Sequence, residues 1–176
     1  MAPFRFSTVV VGVGNTVLSG DGVGVHAVRA LMRDPRLMPG IAILDGGKLG
    51  LELLGRIANA RRILFLDAVH SSVAPGTVIR VEGDELLGTK IEWSVHQAGI
   101  ADLMVALTLV SSKNAEVVVL GLRPVKVAWG RSLTPAVRTA VAPLVDAALD
   151  QLRVWHSSTS NLVGSSYRVS QEQYDN

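Results

Sequence analysis

The chain of 176 residues contains no cysteine, which excludes disulfides, thiolate zinc sites, iron–sulfur clusters and thiol nucleophiles. Any resident chemistry falls to carboxylates, imidazoles, hydroxyls and backbone groups. Aromatic residues make up only 5% of the chain and lysines number four, so no basic stripe interleaves with stacking rings and no nucleic-acid partner is expected. An excess of one charge is missing as well, since 17 basic and 15 acidic residues leave a formal net charge of +2. No apolar run approaches the ~18 residues needed to span a bilayer, so no membrane partner is expected. The run Val9-Val10-Val11 ends in a glycine-rich turn instead of a small-residue cleavage site, and a cytoplasmic enzyme is the expectation. Neither a Gly-x-Ser-x-Gly elbow nor a His-Glu-x-x-His helix occurs, which disfavours the ordinary serine-hydrolase and metalloprotease families.

What is present is apolar: 48% of residues are hydrophobic and 18% charged, enough to fill one core at roughly 150 residues per domain. Thr8 to Val13 is a β-branched run bounded by glycine, and Val23 to Met32 carries apolar residues at helical spacing. The alternation continues with strands at Ile41 to Leu44, Ile63 to Leu66 and Glu116 to Gly121, an edge strand at Thr77 to Val81, and helices at Leu49 to Ala60 and Ile100 to Val110. A closing helix runs from Thr134, its cap, and Pro135, in its first turn, to Leu152. Strands alternating with helices of this length predict an α/β fold: a twisted, mostly parallel sheet sandwiched between helices in a single domain, residues 1–153. After Arg153 the sequence turns serine-rich, with six serines from Trp155 to Asn176, and residues 154–176 read as a disordered or loosely docked tail whose removal changes the core little.

The first loop, Gly12-Val13-Gly14-Asn15-Thr16-Val17-Leu18-Ser19-Gly20-Asp21-Gly22-Val23-Gly24, lacks the third glycine of a dinucleotide fold, where Val17 stands. It also brings the acid Asp21 to the start of the first helix, where it repels a phosphate and is well placed as a helix cap. Asp45 ends the second strand and Asp67 the third. Carboxyl ends of parallel strands face the binding crevice, so Asp21, Asp45 and Asp67 are expected along one edge, where a cation, a shared proton or a basic group must offset their repulsion. Asp45 has a second reading as the ribose-binding acid of a nucleotide- or metabolite-binding module using the Gly12-Gly14 loop. Of the four histidines, His26 falls within the first helix, His156 in the expected tail and His70 in a loop; His96 directly precedes a strongly apolar helix. Two carboxylates and the His96 imidazole make a three-ligand open site suited to a borderline divalent metal such as Ni, Zn, Mn or Fe.

Taken in order, Gly12-Val13-Gly14-Asn15, Asp21-Gly22-Val23-Gly24-Val25, Leu44-Asp45-Gly46-Gly47, Gly50-Leu51-Glu52-Leu53-Leu54, Leu66-Asp67-Ala68, His96-Gln97 with Gly99 and Asp102-Leu103, and Leu133-Thr134-Pro135 resemble the NiFe-hydrogenase maturation endopeptidases. The resemblance covers residues 8 to 152. It implies a metal-binding trio at Asp21, Asp67 and His96, substrate recognition by the turn Asp45, Gly46, Gly47 and Lys48, and the same layered fold. The implied activity is a single cut that removes a C-terminal extension from the hydrogenase large-subunit precursor after nickel insertion, which activates the hydrogenase. The resemblance further implies no permanent cofactor: nickel arrives with the substrate, and other divalent ions can occupy the site. The chain departs from the family at Gly20, where members commonly carry a second acid, and at Lys48, where threonine often follows the Asp-Gly-Gly turn.

Overall fold

The computed structural model describes residues 6–16, 21–47, 51–69, 72–88, 97–111, 114–124 and 135–171. Five strands form one sheet in the order β2-β1-β3-β5-β4: β1 is Thr8–Val13, β2 Ile41–Gly47, β3 Arg62–Ala68, β4 Val78–Glu82 and β5 Glu116–Leu122. β1 pairs in parallel with β2 and β3, and β3 with β5; β4 alone runs antiparallel, at the edge where a strand was expected. The central strands are buried on both faces and are therefore continuous apolar runs rather than alternating ones.

Helices cover both faces. On one, α1 (Val23–Leu31) and α5 (Pro135–Gln171) pack Val23, Ala27, Val28, Leu31, Leu144, Leu149 and Leu152 against Val10, Leu64, Leu66 and Leu120. On the other, a 3-10 turn (Leu51–Leu53), α2 (Leu54–Ile57) and α4 (Gln97–Val110) bring Leu53, Ile57, Ile100, Leu103 and Leu107 onto Val9, Val11, Ile63 and Phe65. The single helix expected over Leu49 to Ala60 is this shorter turn-plus-helix. Gly55 lies inside it, and glycine costs about 1 kcal/mol relative to alanine in a helix. A six-residue helix, α3 (Gly83–Gly88), follows β4 where the sequence reading had placed none.

The expected boundary at Arg153 falls inside one helix. α5 continues through Gln171, and Trp155 is 2% exposed within the α1/α5 core. Its indole N–H donates to Glu116, its carbonyl accepts from the Arg62 guanidinium, and that guanidinium also stacks over the ring at 5.9 Å. The serine-rich composition hides a continuing apolar stripe of Leu144, Ala148, Leu152 and Trp155, at spacings that share one helix face. Trp155→Phe, which keeps most of the packing and loses the buried N–H donor, is expected to cost about 1–2 kcal/mol, read as a lower urea midpoint at unchanged slope. A midpoint equal to wild type contradicts the anchoring role.

Candidate functional site

The strand order places a topological switch between β1 and β3: the chain leaves β1 for β2 on one side and returns through β3 on the other. Loops at the carboxyl ends of two such strands diverge and leave a crevice. Asp21 lies in the loop leaving β1, directly before α1, and Asp67 lies on β3, so the two acids come from the two chain segments that flank the switch.

Glycines make the crevice tight. A Cβ on Gly24 lies 2.0 Å from the Leu66 carbonyl oxygen and 2.4 Å from that of Val13, so the first turn of α1 sits against the ends of both β1 and β3. Gly14, at φ +138°, approaches so closely that a Cβ there falls 2.0 Å from the Asp21 carbonyl oxygen. The loop thus folds back on its own start, and the Asn15 N–H donates to Asp21 Oδ2 at 3.1 Å. Asp21 is 7% exposed, and the helix cap position next to it belongs to Gly22, which makes no side-chain cap bond. The carboxylate expected to cap α1 reaches back across the loop.

Asp67 is fully buried, and its Oδ1 accepts the Ala68 N–H at 2.7 Å. Leu64, Leu66 and Ala68 belong to the α1/α5 core and Ile63 and Phe65 to the other, so the two-residue period of a strand sets Asp67 on the α4 face. His96 lies outside the described residues, as do His70, Lys48 and Thr134. His96 directly precedes Gln97, the first residue of α4, the helix that covers the face to which Asp67 belongs. Among the described residues no group of three His, Cys, Asp or Glu side chains is placed to hold a metal ion; the two carboxylates are present and the third member of the expected trio is not among them.

Asp45 takes a different course. It lies two residues before the end of β2, at the same sheet edge, but its Oδ2 accepts from Arg29 on α1 at 2.8 Å and its Oδ1 from the Gly47 N–H at 3.1 Å. Gly46 is the extra residue of a bulge: Gly12 pairs with Asp45 and Val13 with Gly47. A Cβ on Gly46 meets Val11 and Gly12, whereas Gly47, at φ +50°, faces open space and lends its carbonyl to the Gly14 N–H at 2.7 Å. The sequence reading missed Arg29; the signal was a basic residue in the last turn of the helix connecting two neighbouring parallel strands. Burial holds the imidazole of His26, beside it, below the ordinary histidine range, with repulsion from Arg29 adding to this and Asp45 opposing.

A nucleotide-binding reading loses its ribose-binding acid here. Asp45 is engaged by Arg29 and by its own turn, and the Asn15 N–H of the first loop is already taken by the Asp21 carboxylate. Two cavities of about 440 and 420 Å³, one at the amino ends of the strands around Arg62 and Trp155 and one between α1 and α5, are lined by neither Asp21 nor Asp67.

A family model described as hydrogenase maturation protease matches residues 25–151. The hydrogenase 2 maturation protease of Escherichia coli is 36% identical over 149 residues, covering 82% of this chain and 90% of that protein. The hydrogenase expression/formation protein HupD of Thiocapsa roseopersicina is 33% identical over 148 residues, 82% of this chain but 66% of that longer protein. Among solved structures, the hydrogenase maturating endopeptidase HybD from Escherichia coli superimposes with a TM-score of 0.72 at 35% identity, covering 83% of this chain and 91% of that one.

Proposed function

Because this chain belongs to the hydrogenase maturation protease family and is by that membership a peptidase, we propose that its substrate is the large-subunit precursor of a NiFe hydrogenase, cut once to release a C-terminal extension after nickel insertion. The observation that carries this reading is the pair Asp21 and Asp67 at the β1/β3 switch, each tied to a backbone N–H. Such a pair offers hard, fixed oxygen donors to a cation. With the His96 imidazole it forms two oxygen ligands and one nitrogen ligand, a set that suits nickel. The enzyme itself holds no permanent cofactor in this reading: the metal is part of the substrate and marks the precursor as ready, although other divalent ions can occupy the same three groups. Of the Asp45-Gly46-Gly47-Lys48 turn, Gly46, Gly47 and Lys48 meet the precursor, while both Asp45 carboxylate oxygens are engaged within the protein. The reaction takes place in the cytoplasm; no described helix is long and apolar enough to cross a membrane.

The cut is a hydrolysis. Water adds to the scissile carbonyl, one carboxylate of the pair takes its proton, and the C–N bond breaks as that proton passes to the departing amine. With no cysteine in the chain, water rather than a protein thiol is the nucleophile. The test is a comparison of two substrates. Purified enzyme is expected to shorten nickel-loaded precursor at one C-terminal position and to leave nickel-free precursor intact, read by intact-protein mass spectrometry. Equal cutting of both rules out recognition through nickel.

A further inference from the structure

We propose that Asp45 is a positioning residue for Asp21, acting through the glycine bulge and not through contact with the substrate; the catalytic part of the argument rests on the maturation-protease reading above. The connection is continuous. Arg29 fixes Asp45 Oδ2 at 2.8 Å, and Asp45 Oδ1 accepts the Gly47 N–H at 3.1 Å, which holds Gly47 at φ +50°. The Gly47 carbonyl so oriented accepts the Gly14 N–H at 2.7 Å. Gly14 in turn is pressed on the Asp21 carbonyl, and the next N–H, that of Asn15, holds the Asp21 carboxylate.

Each link has a separate physical reason. The bulge between Gly12 and Val13 breaks the β1–β2 register, and a bulge leaves its extra residue without a ladder partner, so something other than the sheet must fix the local backbone. The Asp45 side chain does this by bonding the N–H two residues on, the ordinary use of aspartate in a turn. Gly14, at φ +138° and pressed on the Asp21 carbonyl, has its N–H fixed by the Gly47 carbonyl, and that bond orients the backbone from which the loop departs. A carboxylate that must meet a metal ion or a water within a few tenths of an ångström depends on that direction.

The experiment combines kinetics on nickel-loaded precursor with amide hydrogen exchange on the free enzyme. In Asp45→Ala the Gly14 and Asn15 amides are expected to exchange at least tenfold faster, and kcat to fall about tenfold with KM within twofold of wild type. Asp45→Asn keeps an oxygen acceptor for the Gly47 N–H and is expected to restore most of the protection and most of the lost kcat. This rescue separates the turn bond from the ion pair, and circular dichroism on both variants reports their folding. Unchanged exchange at Gly14 and Asn15 in Asp45→Ala overturns the proposal, as does a raised KM at wild-type kcat, the signature of a residue that touches substrate. Should wild-type enzyme cut no hydrogenase precursor, the substrate assignment falls while the exchange rates still decide whether Asp45 positions the loop.

Discussion

Gly24→Ala is expected to cost about 3 kcal/mol or more and to leave little folded protein at 37 °C. Inserting even one methyl group into a packed interior costs about 1–3 kcal/mol when side chains can rearrange around it. Here they cannot, because the atoms in the way are the carbonyl oxygens of Leu66 at 2.0 Å and Val13 at 2.4 Å, both on central strands. Relief requires α1 to lift from the sheet, and α1 contributes Val23, Ala27, Val28 and Leu31 to the core. Gly55→Ala is the matched control, since a Cβ at that helical position meets nothing within 4 Å. It is expected to be neutral or slightly stabilising, by up to about 1 kcal/mol. Chemical denaturation of the two variants beside wild type makes the comparison, and equal midpoints refute the close approach on which the crevice depends.

The second large effect concerns the reaction. Asp67→Asn preserves the shape of a fully buried side chain and an oxygen for the Ala68 N–H while removing the negative charge. Processing of nickel-loaded precursor is expected to fall by about 100-fold or more, the scale associated with losing a proton-transfer group. His96→Ala removes the nitrogen donor and is expected to do the same, and Asp21→Asn to follow. His70→Ala, which lacks a place in the proposed trio, is expected to retain much more activity. Single-turnover assays by mass spectrometry measure all four. Full activity in either Asp67→Asn or His96→Ala leaves the trio without support.

Much of this architecture is legible in the chain because its signals are local. The β-branched run at Thr8, the glycines around Asp21 and the proline at residue 135 each act within a few residues of themselves, and their elements form where expected. That Asp45 and Asp67 lie toward the carboxyl ends of their parallel strands is likewise a local signal, since each directly follows an apolar strand run. What sequence could not show is pairing at a distance. Arg29 and Asp45 are 16 residues apart and meet only because α1 crosses beside β2. The bulge at Gly46 depends on register between strands, and glycine spacing alone does not announce it. Trp155 was misjudged for another reason: its partners, Arg62 and Glu116, lie 93 and 39 residues away, and a serine-rich composition hid the helix face it completes.

The reach of α5 bears on how the protein is made. Asp21, Asp67 and His96 all leave the ribosome before α5 does, yet α1, whose first turn frames the crevice, has its outer wall in Leu144, Leu149, Leu152 and Trp155. A nascent chain that stops short of those residues carries every candidate ligand without the wall that backs α1. Domains generally fold as units during synthesis. The packing of α1 against the sheet is therefore completed late in synthesis, once the α5 residues that share its core are available.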